Sequence, residues 1–124
     1  MVRKKTVLII DDQKSTRLLL SHFLSNYYNV IEKNGAKEAL EYLNNSSGAD
    51  VIISDILMPE MSGIEFLSAY KQQKHPKISP VIVLSSVENS ADRLKCFKHG
   101  ARDFITKPFN PEELHVRIKN VLNN

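Results

Sequence analysis

A few residues of this 124-residue chain have the types and spacing to work as one chemical group. Asp11 and Asp12 directly follow the apolar run Val7–Ile10, and Asp55 directly follows Val51–Ser54. Ser85 and Ser86 follow Val81–Leu84, and Lys107-Pro108 follows Asp103–Thr106. If the first and third runs are neighbouring strands, three carboxylates converge on one edge of a sheet. Two unpaired carboxylates about 4–5 Å apart repel by about 3–4 kcal/mol at an effective dielectric near 20, so such a cluster needs a countercharge. Two are available: the Lys107 ammonium and a divalent cation. Magnesium suits this donor set, because it takes one or two carboxylates, keeps several waters and completes its shell with phosphate oxygens. An all-oxygen cluster without cysteine or histidine argues against zinc or copper. A carboxylate beside a cation and a lysine is placed to attack a phosphoryl group and form an acyl phosphate. The metal and Lys107 would neutralise charge on the phosphoryl oxygens, and the Ser85 hydroxyl could donate a hydrogen bond to one of them.

The elements that must position these groups are legible as an alternation. Four of the five short runs are rich in β-branched residues and bounded by turn or polar residues, as buried strands are. The run Asn29–Glu32 alternates poorly and reads either as an edge strand or as no strand. Between the runs lie segments of helical periodicity: Lys14–Ser25 with Leu18, Leu19 and Phe23, Ala36–Asn44 with Ala39, Leu40 and Leu43, and Ile64–Gln72 with Ile64, Leu67 and Phe66. Two more are Ala91–Lys98, with Leu94 and Phe97, and Pro111–Val121. The last has the best-specified start: Asn110 as N-cap, Pro111 at the first helical position, then Glu112 and Glu113. Strands alternating with helices imply an α/β domain, a parallel sheet covered on both faces with right-handed crossovers. Functional groups in such sheets gather at the carboxyl ends of the strands, which is where the acids, the serine and the lysine lie.

Composition sets the class. At this length the chain is one domain, residues 1–124. Its 42% hydrophobic and 25% charged residues are those of an ordinary globular protein. The net charge of +3 is mild and its lysines are scattered, without the basic face or reading motif expected of a nucleic-acid binder. The one cysteine, Cys96, reads as a half-buried apolar residue in a helix. His22, His75, His99 and His115 are spread over separate elements and read as surface positions. The first apolar run is too short for a signal peptide, and no stretch approaches a membrane span. The expected location is cytoplasmic.

The segments IIDDQ, SDILMPEMSG, VIVLSS and GARDFITKPF, in this order and spacing, resemble the receiver domains of two-component response regulators over roughly Lys5 to Leu122. The resemblance implies a single (βα)5 doubly wound, flavodoxin-like domain with a five-stranded parallel sheet of order 2-1-3-4-5. It implies a phosphoacceptor switch that assists its own phosphorylation and dephosphorylation, not a turnover enzyme. Asp55 would be the phosphoacceptor. Asp11, Asp12, Asp55 and the backbone carbonyl of Leu57 would hold Mg²⁺ or Mn²⁺, Asp12 directly and Asp11 mainly through water. Ser85 would be the switch hydroxyl and Phe104 the switch aromatic. Phe104 would turn inward as Ser85 moves to the phosphoryl group, remodelling the surface of the fourth helix, fifth strand and fifth helix. Lys107 would be the family's lysine, followed by a cis peptide at Pro108. The implied donor is a histidine kinase or histidine phosphotransfer protein, met at Ser15, Thr16, Leu18 and Leu19. Output would pass to a separate effector protein or to an output domain of a longer chain, as a monomer or a phosphorylation-dependent dimer, without direct nucleic-acid contact. The apolar Leu57 and Val87 flank the phosphoacceptor and the switch serine; by keeping out an attacking water they would slow dephosphorylation.

Each residue has a plainer role when taken alone. Asp11 and Asp12 could cap the first helix, Ser85 could be a turn residue, Lys107 could be solvated and Phe104 could be packing. Other chemistry on a similar scaffold fits less well. A haloacid-dehalogenase-like phosphatase needs a second acid two residues after its nucleophile, where this chain has Leu57. A flavodoxin, hinted at by Ser15 and Thr16, would face its flavin phosphate with Asp11 and Asp12. An interaction module that is never phosphorylated would be expected to have lost an acid or the lysine.

Overall fold

The computed structural model describes residues 4–73, 75, 78–86 and 90–123. Five strands, β1 (Thr6–Ile10), β2 (Asn29–Lys33), β3 (Val51–Ser54), β4 (Val81–Ser85) and β5 (Asp103–Thr106), form one parallel sheet in the order β2-β1-β3-β4-β5. Five helices alternate with them: α1 (Lys14–Leu24), α2 (Ala36–Asn44), α3 (Gly63–Gln72), α4 (Ser90–Lys98) and α5 (Pro111–Leu122). This is the flavodoxin-like topology implied by the resemblance. The ambiguous second run is a strand at the sheet edge, paired to β1 alone, which accounts for its mixed pattern of half-buried and exposed residues.

Because successive side chains of a strand point to opposite faces, the sheet divides its apolar residues by parity. Leu8, Ile10, Ile52, Val81, Val83 and Phe104 pack with α2, α3 and Cys96 of α4. Val7, Ile9, Val51, Ile53, Ile82, Leu84 and Ile105 pack on the other face with α1 and α5. The near-continuous apolar runs of β1, β3 and β4 therefore serve two cores at once.

Two helices present a different face from the one the sequence suggests. α1 buries Leu20 and Leu24, while Leu18 and Leu19 stand 52% and 55% exposed. Three consecutive leucines leave the buried stripe undetermined by periodicity, and packing against β1 and α5 selects it. α4 buries Cys96 completely and leaves Leu94 and Phe97 largely exposed, so Cys96 is a core residue rather than a half-buried one. Among the described residues, no helix is long and apolar enough to cross a membrane.

The helix starts obey local chemistry. The Ser62 hydroxyl accepts the Glu65 N–H, and the Glu65 carboxylate accepts the Ser62 N–H, closing a capping box on α3. The Asn110 side-chain oxygen accepts the N–H groups of Glu112 and Glu113 at 2.8 and 3.2 Å. Replacing Asn110 with alanine leaves both donors to water and should cost about 1 kcal/mol of stability. Urea unfolding of the variant checks this, and an unchanged midpoint would rule out a capping contribution.

Candidate functional site: an acidic cluster at the sheet's carboxyl edge

The hydrogen-bond ladder continues one residue beyond several strands, and that continuation places the polar groups. The Asp11 N–H donates to the Lys33 carbonyl at the end of β2 (3.2 Å), and the Asp55 N–H donates to the Ile10 carbonyl at the end of β1 (3.1 Å). The Lys107 N–H donates to the Ser85 carbonyl at the end of β4 (2.9 Å). Asp11 and Asp55 thus leave adjacent strands at one level. Lys107, whose strand lies two strand spacings from β3, or about 10 Å, spans the gap with its long side chain. Its ammonium donates to Asp55 Oδ2 at 3.2 Å and to Asp11 Oδ2 at 3.0 Å. The peptide joining Lys107 to Pro108 is cis.

Carboxylate oxygens of Asp11, Asp12 and Asp55 lie within 4.8 Å of one another. Asp11 and Asp55 are buried, and Asp12 is exposed. Asp55 is oriented from both sides: Oδ1 accepts the N–H groups of Ile56 (2.7 Å) and Leu57 (3.4 Å), and Oδ2 accepts Lys107. Asp11 Oδ1 accepts the Gln13 N–H (2.9 Å), so Asp11 both organises the turn into α1 and faces the cluster. Burial pushes the Asp11 carboxyl above its ordinary pKa, against the lowering effects of the Gln13 N–H and Lys107; the Asp55 charge adds to the rise. Burial also works against the Lys107 ammonium, but its bonds to Asp11 and Asp55 and their charges outweigh that and hold its pKa above the usual lysine value. The donor set is all oxygen and partly open to solvent, a fit for a hard divalent cation.

Ser85 is fully buried at the end of β4, one strand over from Asp55. Phe104 is 4% exposed, its ring already packed into the core beneath the Arg93 guanidinium, 5.4 Å from the ring centroid. No inward turn is needed for it to reach a buried position. Leu57 stands 59% exposed at the rim. Val87, paired with Leu57 in the sequence reading, lies outside the described residues.

The sequence reading missed three residues that shape the site or its surroundings. Gly63 packs so closely on the loop after Asp55 that a Cβ there would overlap the Asp55 carbonyl oxygen and come within 2.8 Å of Ile56 Cα, while its N–H donates to the Ile56 carbonyl (2.8 Å). Arg117 binds both carboxylate oxygens of Asp103 at 2.9 Å, tying α5 to the start of β5. Arg17 donates to the Asp11 carbonyl oxygen at 2.8 Å. The Ser62-Gly63 turn was the one local signal for any of them; the two arginine contacts join residues far apart in sequence or on separate elements.

The family model described as response regulator receiver domain matches residues 7–119. The chain is 37% identical over 121 residues to histidine kinase P4 of Formosa agariphila, covering 98% of this chain and 9% of that protein. It is 33% identical over 119 residues to the alkaline phosphatase synthesis transcriptional regulatory protein PhoP of Bacillus subtilis, covering 95% of this chain and 48% of that one. It therefore spans less than half the length of either relative. Among solved structures, the chemotaxis response regulator CheY4 of Vibrio cholerae superposes with a TM-score of 0.88 at 35% identity, covering 97% of this chain and all of that one.

Two outcomes are expected from substitutions here. Gly63→Ala should destabilise the fold by about 1–3 kcal/mol through overpacking, read as a lower urea midpoint. Asp11→Asn should stabilise the metal-free protein at pH 7, because burial disfavours the Asp11 charge by more than Lys107 and the Gln13 N–H favour it, and Asp55 remains to pair with Lys107. The folded pKa of Asp11 lies above its unfolded value, so its penalty is complete above the folded pKa and disappears as pH falls below the unfolded one. The advantage of the variant should shrink accordingly in acid, and a pH series of urea midpoints shows whether it does.

Proposed function

The chain belongs to the response regulator receiver domain family, and we propose that residues 1–124 form one receiver domain that accepts a phosphoryl group on Asp55. The observation that carries this reading is the placement of Asp55: 6% exposed, beside two further carboxylates and bonded to the Lys107 ammonium at 3.2 Å. The donor would be the phosphohistidine of a histidine kinase or histidine phosphotransfer protein. An electron pair of an Asp55 carboxylate oxygen forms the new P–O bond. The P–N bond breaks, its electron pair stays on the imidazole nitrogen, and that nitrogen takes up a proton.

Asp11, Asp12, Asp55 and the Leu57 carbonyl would hold Mg²⁺ or Mn²⁺. When bound, the ion supplies positive charge to the phosphoryl oxygens and offsets repulsion among the acids. The chain's own groups do the rest. The Ile56 and Leu57 N–H groups hold the Asp55 carboxylate in orientation. Lys107 exchanges part of its bonding to Asp55 for a phosphoryl oxygen, and the Ser85 hydroxyl donates to another. Phe104, already buried, would be held in that position by the altered Ser85 rather than drawn into it. The α4–β5–α5 surface would then present one arrangement to an effector protein or an output domain. The role is that of a switch that assists its own phosphorylation, in the aqueous interior of the cell.

Intact-mass measurement after incubation with acetyl phosphate tests this reading. One phosphoryl group should be gained with Mg²⁺, none in chelator and none by Asp55→Asn; a folded wild type that gains nothing would sink the proposal. Leu57→Asn, which sets a polar side chain at the exposed rim, should shorten the phosphorylated lifetime severalfold by admitting and orienting water. An unchanged decay rate would show that the rim does not control hydrolysis.

A further inference from the structure

Arg17, in the first turns of α1, has no part in the chemistry described so far, yet it is tied to the site. Its side chain is 16% exposed. Nη1 donates to the Asp11 carbonyl oxygen at 2.8 Å, and Nε lies 3.5 Å from Glu32 Oε1 on β2. One planar guanidinium thus joins the start of α1, the end of β1 and the edge strand. Arginine can do this because its donors form a rigid fork, whereas a lysine presents a single point of charge.

The consequence falls on Asp12. The Asp11 carbonyl and the Asp12 N–H belong to the same planar peptide unit, so fixing the carbonyl fixes the plane. The Gln13 N–H, bonded to Asp11 Oδ1 at 2.9 Å, holds the following peptide, and the two planes together limit the direction in which the Asp12 side chain leaves the backbone. Asp11 is already held by Lys33 through its N–H, and by Gln13 and Lys107 through its carboxylate. Asp12 is exposed, and no hydrogen bond or ion pair to its carboxylate occurs among the described residues. Its carboxylate nonetheless lies within 4.8 Å of those of Asp11 and Asp55. Something other than its own side-chain contacts keeps it there: the backbone on either side of it is held, peptide 12–13 by the Gln13 bond to Asp11 and peptide 11–12 by Arg17.

We propose that Arg17 is a positioning residue for cation capture, its guanidinium steadied by Glu32 and holding peptide 11–12 so that Asp12 faces the other two acids. This rests on the reading of the acidic cluster as a divalent-cation site. Charge alone predicts the opposite effect: Arg17 is a cation near a cation site, so removing it would strengthen Mg²⁺ binding. The sign of the change therefore separates positioning from electrostatics.

The test is calorimetric titration of the full chain with MgCl₂, for wild type, Arg17→Gln, Arg17→Lys and Asp12→Ala, together with urea unfolding in chelator. Arg17→Gln should weaken Mg²⁺ binding by about tenfold, the usual scale for losing a group that orients a metal ligand, despite losing a positive charge. Arg17→Lys keeps the charge and should also weaken binding; it carries the test if the glutamine variant fails to fold. The Asp12 amide resonance of metal-free protein should shift and broaden in both Arg17 variants. Unchanged or tighter Mg²⁺ binding in a folded Arg17 variant overturns the proposal, even if stability falls. A wild type that binds no Mg²⁺, indistinguishable from Asp12→Ala, overturns the cation-site reading itself and Arg17's role with it.

Discussion

The interaction on which the rest of this structure depends is the Lys107 ammonium lodged between the Asp11 and Asp55 carboxylates, 3.0 and 3.2 Å away. Two buried acids on adjacent strands would repel strongly at an intermediate dielectric, and a sheet edge that held them without a partner would be costly to fold. One lysine reaching across β4 makes the arrangement tenable. It does not make it neutral, because the exposed Asp12 adds a third carboxylate to the same cluster. The residual negative charge is what a divalent cation would complement, and burial holds the Asp11 carboxyl above its ordinary pKa despite the Gln13 N–H and Lys107.

The scaffold is arranged to hold those groups at one level. Backbone ladder bonds that run one residue past β1, β3 and β5 set the heights of Asp11, Asp55 and Lys107 before any side-chain contact is made. Gly63 lets the α3 start close against the loop after Asp55, and the capping box at Ser62 and Glu65 fixes that start. Arg17 ties the loop after β1 to β2. Groups carried on strand ends and locked by backbone bonds are better placed for phosphoryl chemistry than groups on mobile loops, since catalysis of that kind rests on position and fixed charge.

The sequence made the architecture legible because both of its signals were strong. Buried parallel strands appear as β-branched runs, and β3, β5 and α2 were read with their observed limits. The polar residues after those runs stood at the level where open α/β sheets gather function, and the structure brings Asp11, Asp12, Asp55 and Lys107 together there. What the sequence did not disclose depends on packing at a distance. In KSTRLLLSHFL the leucines at 18, 19 and 20 are equivalent by composition, and only the position of α5 and the sheet decides that Leu20 goes inside. α4 is similar: it buries one residue, Cys96, and two larger apolar side chains remain outside. Arg17, Arg117 and Gly63 were missed because a hydrogen bond to a distant carbonyl, a pairing between α5 and β5, and a close backbone approach leave no periodic trace.

Strand β5 links the acidic cluster to the outer surface. It is four residues long, and it carries Phe104 near its start and delivers Lys107 just past its end. Its register against β4 is set by the pairs Val83↔Phe104 and Ser85↔Thr106. At its other end Asp103 is clamped by both Nη1 contacts of Arg117 from α5, and Arg93 of α4 lies over the Phe104 ring. A change in what Lys107 and Ser85 bind is therefore applied to a short element whose far end is fastened to α5 and covered by α4. On the proposed reading, the strand has little slack in which to absorb such a change. The adjustment would then fall on the exposed Arg93 side chain and on α4, which buries only Cys96 among its described residues, rather than on Arg117, bonded to both oxygens of Asp103. On the same proposed reading, the variable part of the surface would lie on α4, and α5, held through Arg117 and Asp103, would be the fixed reference.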